Sequence, residues 1–172
     1  DKAVSTTRVD LTDLTDTQLY EVQVAAYRGN TAYRGPYSKV NAKHALPGTV
    51  TGLKTKKTAT GSITLEWNKK PGADGYVAYQ YIAAKKQTKR LATTTARSFV
   101  FKGSGAKPGT KYYFYVAPYT VDSKTKEGAK GTQLATTTRP TATKCTAAKS
   151  AKKQQITVHW NKVKCNGYAV QY

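Results

Sequence analysis

The 172-residue chain has no methionine, two histidines, two cysteines and nine acidic residues, and each scarcity removes a class of function. With no methionine and no apolar run long enough to cross a bilayer, it shows no start residue, signal peptide or membrane span. It is therefore expected to be a fragment whose cellular address lay elsewhere or was removed. His44 and His159 lie near no nucleophile or carboxylate pattern, so both are read as surface histidines and catalysis has no candidate base. Asp10, Asp13, Asp16 and Glu21 run through LTDLTDTQLYE without calcium-loop spacing or a suitably placed glycine, and are expected to be loop and solvent-facing strand residues. The stretch FKGSGAKPGTK holds glycines and lysines but lacks the strand-to-helix setting of a phosphate loop. No Arg-Gly-Asp triplet occurs, YRGN and YRGP being the nearest. No catalytic, cofactor-binding or metal residue is assigned, no cofactor is expected, and the chain is not expected to be an enzyme.

The charge that is present is of one sign. Lys and Arg number 29, for a net charge of +20. Residues 1–46 carry six of the 29 with five of the nine acids, so the remaining 126 residues hold 23 cations against four carboxylates. Such a field attracts polyanions, whether wall polymers, acidic glycans, anionic lipid or nucleic acid, without choosing among them. Lysines outnumber arginines 23 to six, so the planar forks suited to bidentate phosphate reading are few. A merely solubilising lysine surface is the other reading.

The strongest positive signal is repetition. Trp67 and Trp160 sit 93 positions apart in matching settings, ITLEWNKKPGADGY and ITVHWNKVKCNGY. Pro47 and Pro140 keep the same step, and Tyr20 and Tyr112 a step of 92. A period of this size marks a tandem array. Helical periodicity is nearly absent, whereas alternating apolar and polar runs return roughly every 8 to 12 residues, an all-β pattern. Between the prolines, strands are predicted near 49–57, 61–68, 75–83, 87–92, 97–102, 111–120 and 129–137. Ile63, Leu65 and Trp67 alternate onto one face, as do Phe99 and Phe101, and Tyr112, Phe114 and Val116, which supplies the two inner faces of a β-sandwich.

These residues resemble the fibronectin type III family, especially the repeats of Gram-positive bacterial surface proteins. The resemblance rests on the tryptophan of strand B in ITLEW and ITVHW, on GYVAY and GYAVQY of strand C, and on KPGTKYYFYVAPY of strand F, followed by a final strand ending TTTRP. It implies immunoglobulin-like sandwiches in tandem, with Trp67, Trp160, Tyr20 and Tyr112 as structural core. Tyr20 and Tyr112 would each tie the E–F crossing to its sandwich. Leu14 lies six residues before Tyr20 as the pattern expects, while Ala106 takes that place before Tyr112 and predicts a less well packed corner.

Laid out by the 92-residue step, residues 47–139 form a complete module. Residues 1–46 correspond to strands E, F and G of a preceding one, and 140–172 to strands A, B and most of C of a following one. Both flanks are below the size that usually folds unaided. Two explanations stand: a stretch of a longer array, or pairing of the A-B-C part of one copy with the E-F-G part of the next, which polymerises the chain.

Cys145 and Cys165 fall at one end of the last partial module. In an exported protein a disulfide between them would close a loop of about 20 residues and add about 3 kcal/mol. Two free thiols are the alternative, and a metal site a poor third, since no His or carboxylate joins the sulfurs. Alternation points Tyr79, Tyr81, Tyr113 and Tyr115 outward on the neighbouring strands C and F, fringed by Lys85 and Lys86. This is the candidate contact face, with sheet stabilisation by cross-strand tyrosine pairs as the plainer reading.

The function expected is that of a non-catalytic extracellular or cell wall-associated repeat protein, a stalk or fibre-forming unit that adheres to anionic or glycan surfaces. Its partners would be neighbouring modules, copies of itself, cell-wall polymers or host glycans. The rivals are a spacer module of a secreted polysaccharide-degrading enzyme and, prompted only by charge, a basic nucleic-acid-binding module.

Overall fold

A computed structural model describes residues 2–172. The strands are β1 (Leu19–Val22), β2 (Asn41–His44), β3 (Lys54–Ala59), β4 (Ser62–Glu66), β5 (Gly75–Ile82), β6 (Gln87–Thr94), β7 (Ser98–Lys102), β8 (Lys111–Val121), β9 (Thr125–Glu127), β10 (Leu134–Thr137), β11 (Cys145–Lys152) and β12 (Gln155–Trp160). Two 3-10 turns, Ala83–Lys85 and Gly103–Gly105, are the only helical elements among the described residues.

Strands β3, β4 and β7 form one antiparallel sheet, and β10, β8, β5 and β6 form a second, with β9 added to β8. Ile63, Leu65 and Trp67 project from the first sheet and Tyr76, Tyr112, Phe114 and Val116 from the second, all at most 7% exposed. The aromatic rings interlock: Phe101 lies 5.0 Å from Tyr112 and 5.2 Å from Phe114, and Trp67 lies edge-on to Tyr76 at 5.5 Å. The chain is thus all-β, with a two-sheet sandwich of fibronectin type III-like topology at its centre.

Two predicted strands are displaced. β3 begins at Lys54 rather than near residue 49, although Val50 is still buried in the core. The last strand is regular only over Leu134–Thr137, because the preceding segment is tied at intervals instead, Gly128 N–H to Pro118 O (2.8 Å) and Gly131 N–H to Val116 O (3.1 Å). The short β9 had no periodic signal.

Among the described residues the flanks form two hairpins, β1 with β2 and β11 with β12, and one isolated bridge, Tyr27 with Arg34. Residues 6–10, which step onto β7, and residues 167–172, which step onto β5, are not strands. The reason is pairing: β7 is bonded to β4, and β5 to β8 and β6. The corresponding neighbour of each missing strand lies outside its own flank.

Candidate functional site: an outer tyrosine face and a clamped junction

In the five-stranded sheet Tyr79 is registered opposite Tyr115 and Tyr81 opposite Tyr113, on the side away from the core. Tyr81 meets the rings of Tyr113 and Tyr115 edge-on, both at 6.4 Å. These four rings do not make an open plate. Tyr79 is only 9% exposed and belongs to a second apolar cluster with Val77 and Ala117, while Tyr81, Tyr113 and Tyr115 are half-buried. The cover comes from β9 and the segment after it. The Tyr79 hydroxyl donates to Glu127, whose carboxylate also pairs with Arg90 at 2.7 Å, and Lys130 Nζ stands 4.6 Å from the Tyr79 ring centre. Burial, and then the hydrogen bond to Glu127, push the Tyr79 phenol up to about 12. Gln133 donates to the Tyr115 hydroxyl at 2.6 Å. The cations over these rings are Lys130 and, above Tyr113 at 5.5 Å, Lys111. Lys85 and Lys86 are exposed at the β5–β6 turn, where Lys86 takes φ 49°.

A more heavily built site lies where the first flank meets the sandwich. Asp16 accepts the N–H of Gly48 at 2.9 Å and pairs with Lys70 Nζ at 2.6 Å. Its carboxyl is held below the usual aspartate range, chiefly by the hydrogen bond from Lys70. The next residue, Thr17, is buried at φ 62° and donates its hydroxyl to Pro71 O at 2.7 Å. Gly72, at φ 71°, has no room for a side chain: a Cβ there would fall 2.5 Å from Thr17 Oγ1. On the other side His44 Nδ1 lies 2.7 Å from Asp122 Oδ1, and the backbone N–H of His44 points to the same oxygen. That contact, with His44 N–H and the Lys43 charge in support, lowers the Asp122 carboxyl. His44 is therefore not a free surface histidine, and Asp16 is not merely a loop acid. Neither pairing has a sequence spacing by which it could be read.

At the far junction the counterparts of Asp16 and Lys70 are Pro108 and Val163. Gly109 there, at φ 55°, packs so closely that an added Cβ would stand 2.0 Å from Lys164 O, and Lys164 Nζ donates to Thr110 Oγ1 at 3.1 Å. This joint is close-packed and carries no carboxylate clamp.

The expected disulfide is not formed. Cys145 and Cys165 are both free thiols, and Cys145, exposed at the start of β11, directs its Sγ to Ala147 O at 3.6 Å. Trp160 departs from the expected core role: it is 37% exposed against 4% for Trp67, because no second sheet covers its hairpin. Tyr20 is half-buried rather than enclosed, and His159 is exposed. The corner at Tyr112 reverses expectation, with Ala106 4% exposed within the core while Leu14 is 40% exposed. Among the described residues, no three His, Cys, Asp or Glu side chains come together as a metal-ligand set. No helix of the described residues is long and apolar enough to cross a membrane.

Two sheets enclosing an indole and a corner tyrosine define a fibronectin type III-like sandwich. Solved structures similar to this chain carry the same description. The fibronectin type-III domain of human fibronectin type III domain containing protein 3 is 16% identical, covering 56% of this chain and 90% of its own, with a TM-score of 0.48. The FN5 domain of Drosophila Lar is 23% identical over 55% of this chain and 98% of its own, at 0.44. The chicken CNTN1 FN1–FN3 domains are 20% identical over 74% of this chain and 43% of theirs, at 0.48. At these identities the likeness concerns the fold alone, and the class rests on the strand order and core described above. No protein-family model matches the sequence.

Proposed function

We propose that the chain is a non-catalytic structural stretch of an extracellular, cell wall-associated bacterial repeat protein, a stalk whose modules 1–46, 47–139 and 140–172 succeed one another through short proline-bearing joints. The observation that carries this reading is the clamped first junction. Asp16 with Gly48 and Lys70, Thr17 with Pro71, and His44 with Asp122 are contacts on two sides of one joint, and a spacer of fixed angle needs such two-point attachment. Adhesion to anionic wall polymers or host glycans is the activity the uncompensated lysines favour. A spacer role in a secreted polysaccharide-degrading enzyme would use the same stiffness. Small-angle X-ray scattering tests the stalk: the wild-type chain should fit one rigid particle, and Asp16→Ala with His44→Ala should broaden the distance distribution. A wild-type profile already fitted only by a flexible ensemble would overturn it.

A second reading, assembly into fibres, is favoured by the exposure of what should be inner faces. Ile156, Tyr168 and Val170 are 71%, 41% and 58% exposed, whereas their counterparts Ile63, Tyr76 and Ala78 are at most 3% exposed. On the first flank Val9, Val22 and Val24 stand open in the same way. The two flanks carry complementary strands, so one copy's 140–172 would complete another copy's 1–46. Head-to-tail contacts of this kind propagate. Sedimentation should show mass rising with concentration, and Trp160→Asp should abolish the rise; a wild-type chain monomeric at all concentrations defeats this reading.

A further inference from the structure

The outer side of the three-stranded sheet carries a depression of about 370 Å³ whose polar lining includes Lys54, Lys56, Glu66, Asn68, Arg97 and Ser98. Strand register explains how the charges converge. Lys54, Glu66 and Ser98 are direct cross-strand partners, so they share one face. A bulge between Thr55 and Lys57 makes Lys56 the extra residue and sets Lys57 opposite Thr64. Thr64 lies between the inward-facing Ile63 and Leu65, so Lys57 joins the outer side too. Regular alternation would have divided these lysines between the two faces.

Two of the cations already have a partner: Lys54 and Lys56 reach the Glu66 carboxylate at 3.4 and 3.2 Å. Arg97 makes no ion pair with any acid among the described residues, and within residues 47–172 no side-chain carboxylate is left without a partner. All four carboxylates of residues 47–172 are engaged: Glu66 here, Asp74 with Val121 N–H at 2.6 Å, Asp122 with His44, and Glu127 with Arg90. The depression therefore holds three cations around one acceptor, with Lys57 beside it.

From this arrangement we infer that the groove is a binding site for an acidic polysaccharide, a polymer carrying both hydroxyl groups and carboxylates. Arg97 and the lysines take the anionic groups, and Glu66, fixed between two ammonium groups, accepts a sugar hydroxyl. Glu66 is what sets this ligand apart from a plain polyanion. A carboxylate repels any anionic group but also accepts a hydroxyl hydrogen, which an acidic polysaccharide supplies and a polyphosphate chain does not. Nucleic acid is disfavoured for a further reason: the one ring at the groove, Trp67, is 4% exposed and offers no stacking platform for a base. The inference rests on the adhesion reading and gives it a location and a ligand class.

The test titrates the full chain with polygalacturonate, polyphosphate and neutral dextran by isothermal calorimetry at low and physiological ionic strength. Polygalacturonate should bind and dextran should not. Arg97→Ala and the Lys54→Ala/Lys56→Ala pair should each weaken polygalacturonate by about tenfold or more. Lys149→Ala/Lys152→Ala on β11, which removes as much charge as the lysine pair, should change it by about twofold or less. Glu66→Gln supplies the decisive arm: it should weaken polygalacturonate while tightening polyphosphate, with unchanged circular dichroism for all variants. Equal losses in the groove and β11 variants, or tighter polygalacturonate binding by Glu66→Gln, would overturn the site in favour of diffuse charge attraction. Failure of the wild-type chain to bind any polyanion would instead remove the adhesion reading itself.

Discussion

Tyr20 and Tyr112, 92 positions apart, accept the same hydrogen bond: Thr15 N–H reaches the Tyr20 hydroxyl at 2.8 Å, and Lys107 N–H reaches that of Tyr112 at 2.7 Å. Tyr76 and Tyr168 are matched likewise, taking the N–H of Lys70 and of Val163, both at 2.9 Å. Each also lies 5.5 Å from its tryptophan. The repeat is therefore physical as well as textual. What differs between the copies is burial, and that difference yields separable tests.

The Tyr112 hydroxyl also donates to Gly105 O at 2.7 Å, so its removal strands two backbone groups beside the core. Tyr112→Phe should lower the stability of the central sandwich by about 1–3 kcal/mol in urea denaturation, the usual cost of unpaired buried polar groups. Tyr20→Phe, in the half-covered corner, should leave that transition within about 0.5 kcal/mol.

The two tryptophans should report separately. With Trp160→Phe the remaining Trp67 should emit at short wavelength and resist iodide quenching. With Trp67→Phe, Trp160 should emit at longer wavelength and be quenched readily. Replacing Trp67 by Ala should cost about 3–5 kcal/mol, as for a large buried ring, whereas Trp160→Ala should leave the main unfolding transition in place.

Acid should loosen the first junction. The Asp16 and Asp122 carboxyls both titrate below the ordinary value of 3.8 in the folded chain, through Lys70 and His44 respectively. Groups depressed in this way contribute stability that is fully present above 3.8 and lost as pH falls through their lower folded values. Scattering profiles should therefore hold steady from neutrality down to that point and broaden below it. In Asp16→Asn/Asp122→Asn the broadening should already be present at neutral pH.

Titration of unreduced protein with a thiol reagent should find both cysteines reactive, the exposed Cys145 ahead of the half-buried Cys165. Recovery of two thiols only after reduction would contradict the structure.

Much of the sandwich was legible because a strand's two-residue period and a 93-residue repeat are local patterns: Ile63, Leu65 and Trp67 could be assigned inward from their order alone. Contacts between distant single residues were not legible. Lys70 stands 54 positions from Asp16, and Asp122 78 from His44, and nothing in a run of lysines marks which one will meet a carboxylate. Alternation put Tyr79 on the correct side of its sheet but could not foresee its cover, which depends on β9 and Lys130 folding back over it. The bulge at Lys56 escaped for a similar reason, since one extra residue inverts the facing of those after it. The missing strands on both flanks show the complementary limit: a segment with strand periodicity stays unpaired when its hydrogen-bonding neighbour is elsewhere.

Thr138 has a mechanical meaning. Its hydroxyl donates to Lys107 O at 2.6 Å and accepts Thr110 N–H at 3.0 Å, while Arg139 N–H holds Ala59 O at 3.1 Å, just where the polypeptide leaves the sandwich. Tension drawn along the chain meets this latch before it reaches the four residues of β10. The Thr138 hydroxyl is therefore expected to share in resisting the first yield of the sandwich, and pulling on a Thr138→Val chain should find a lower rupture peak.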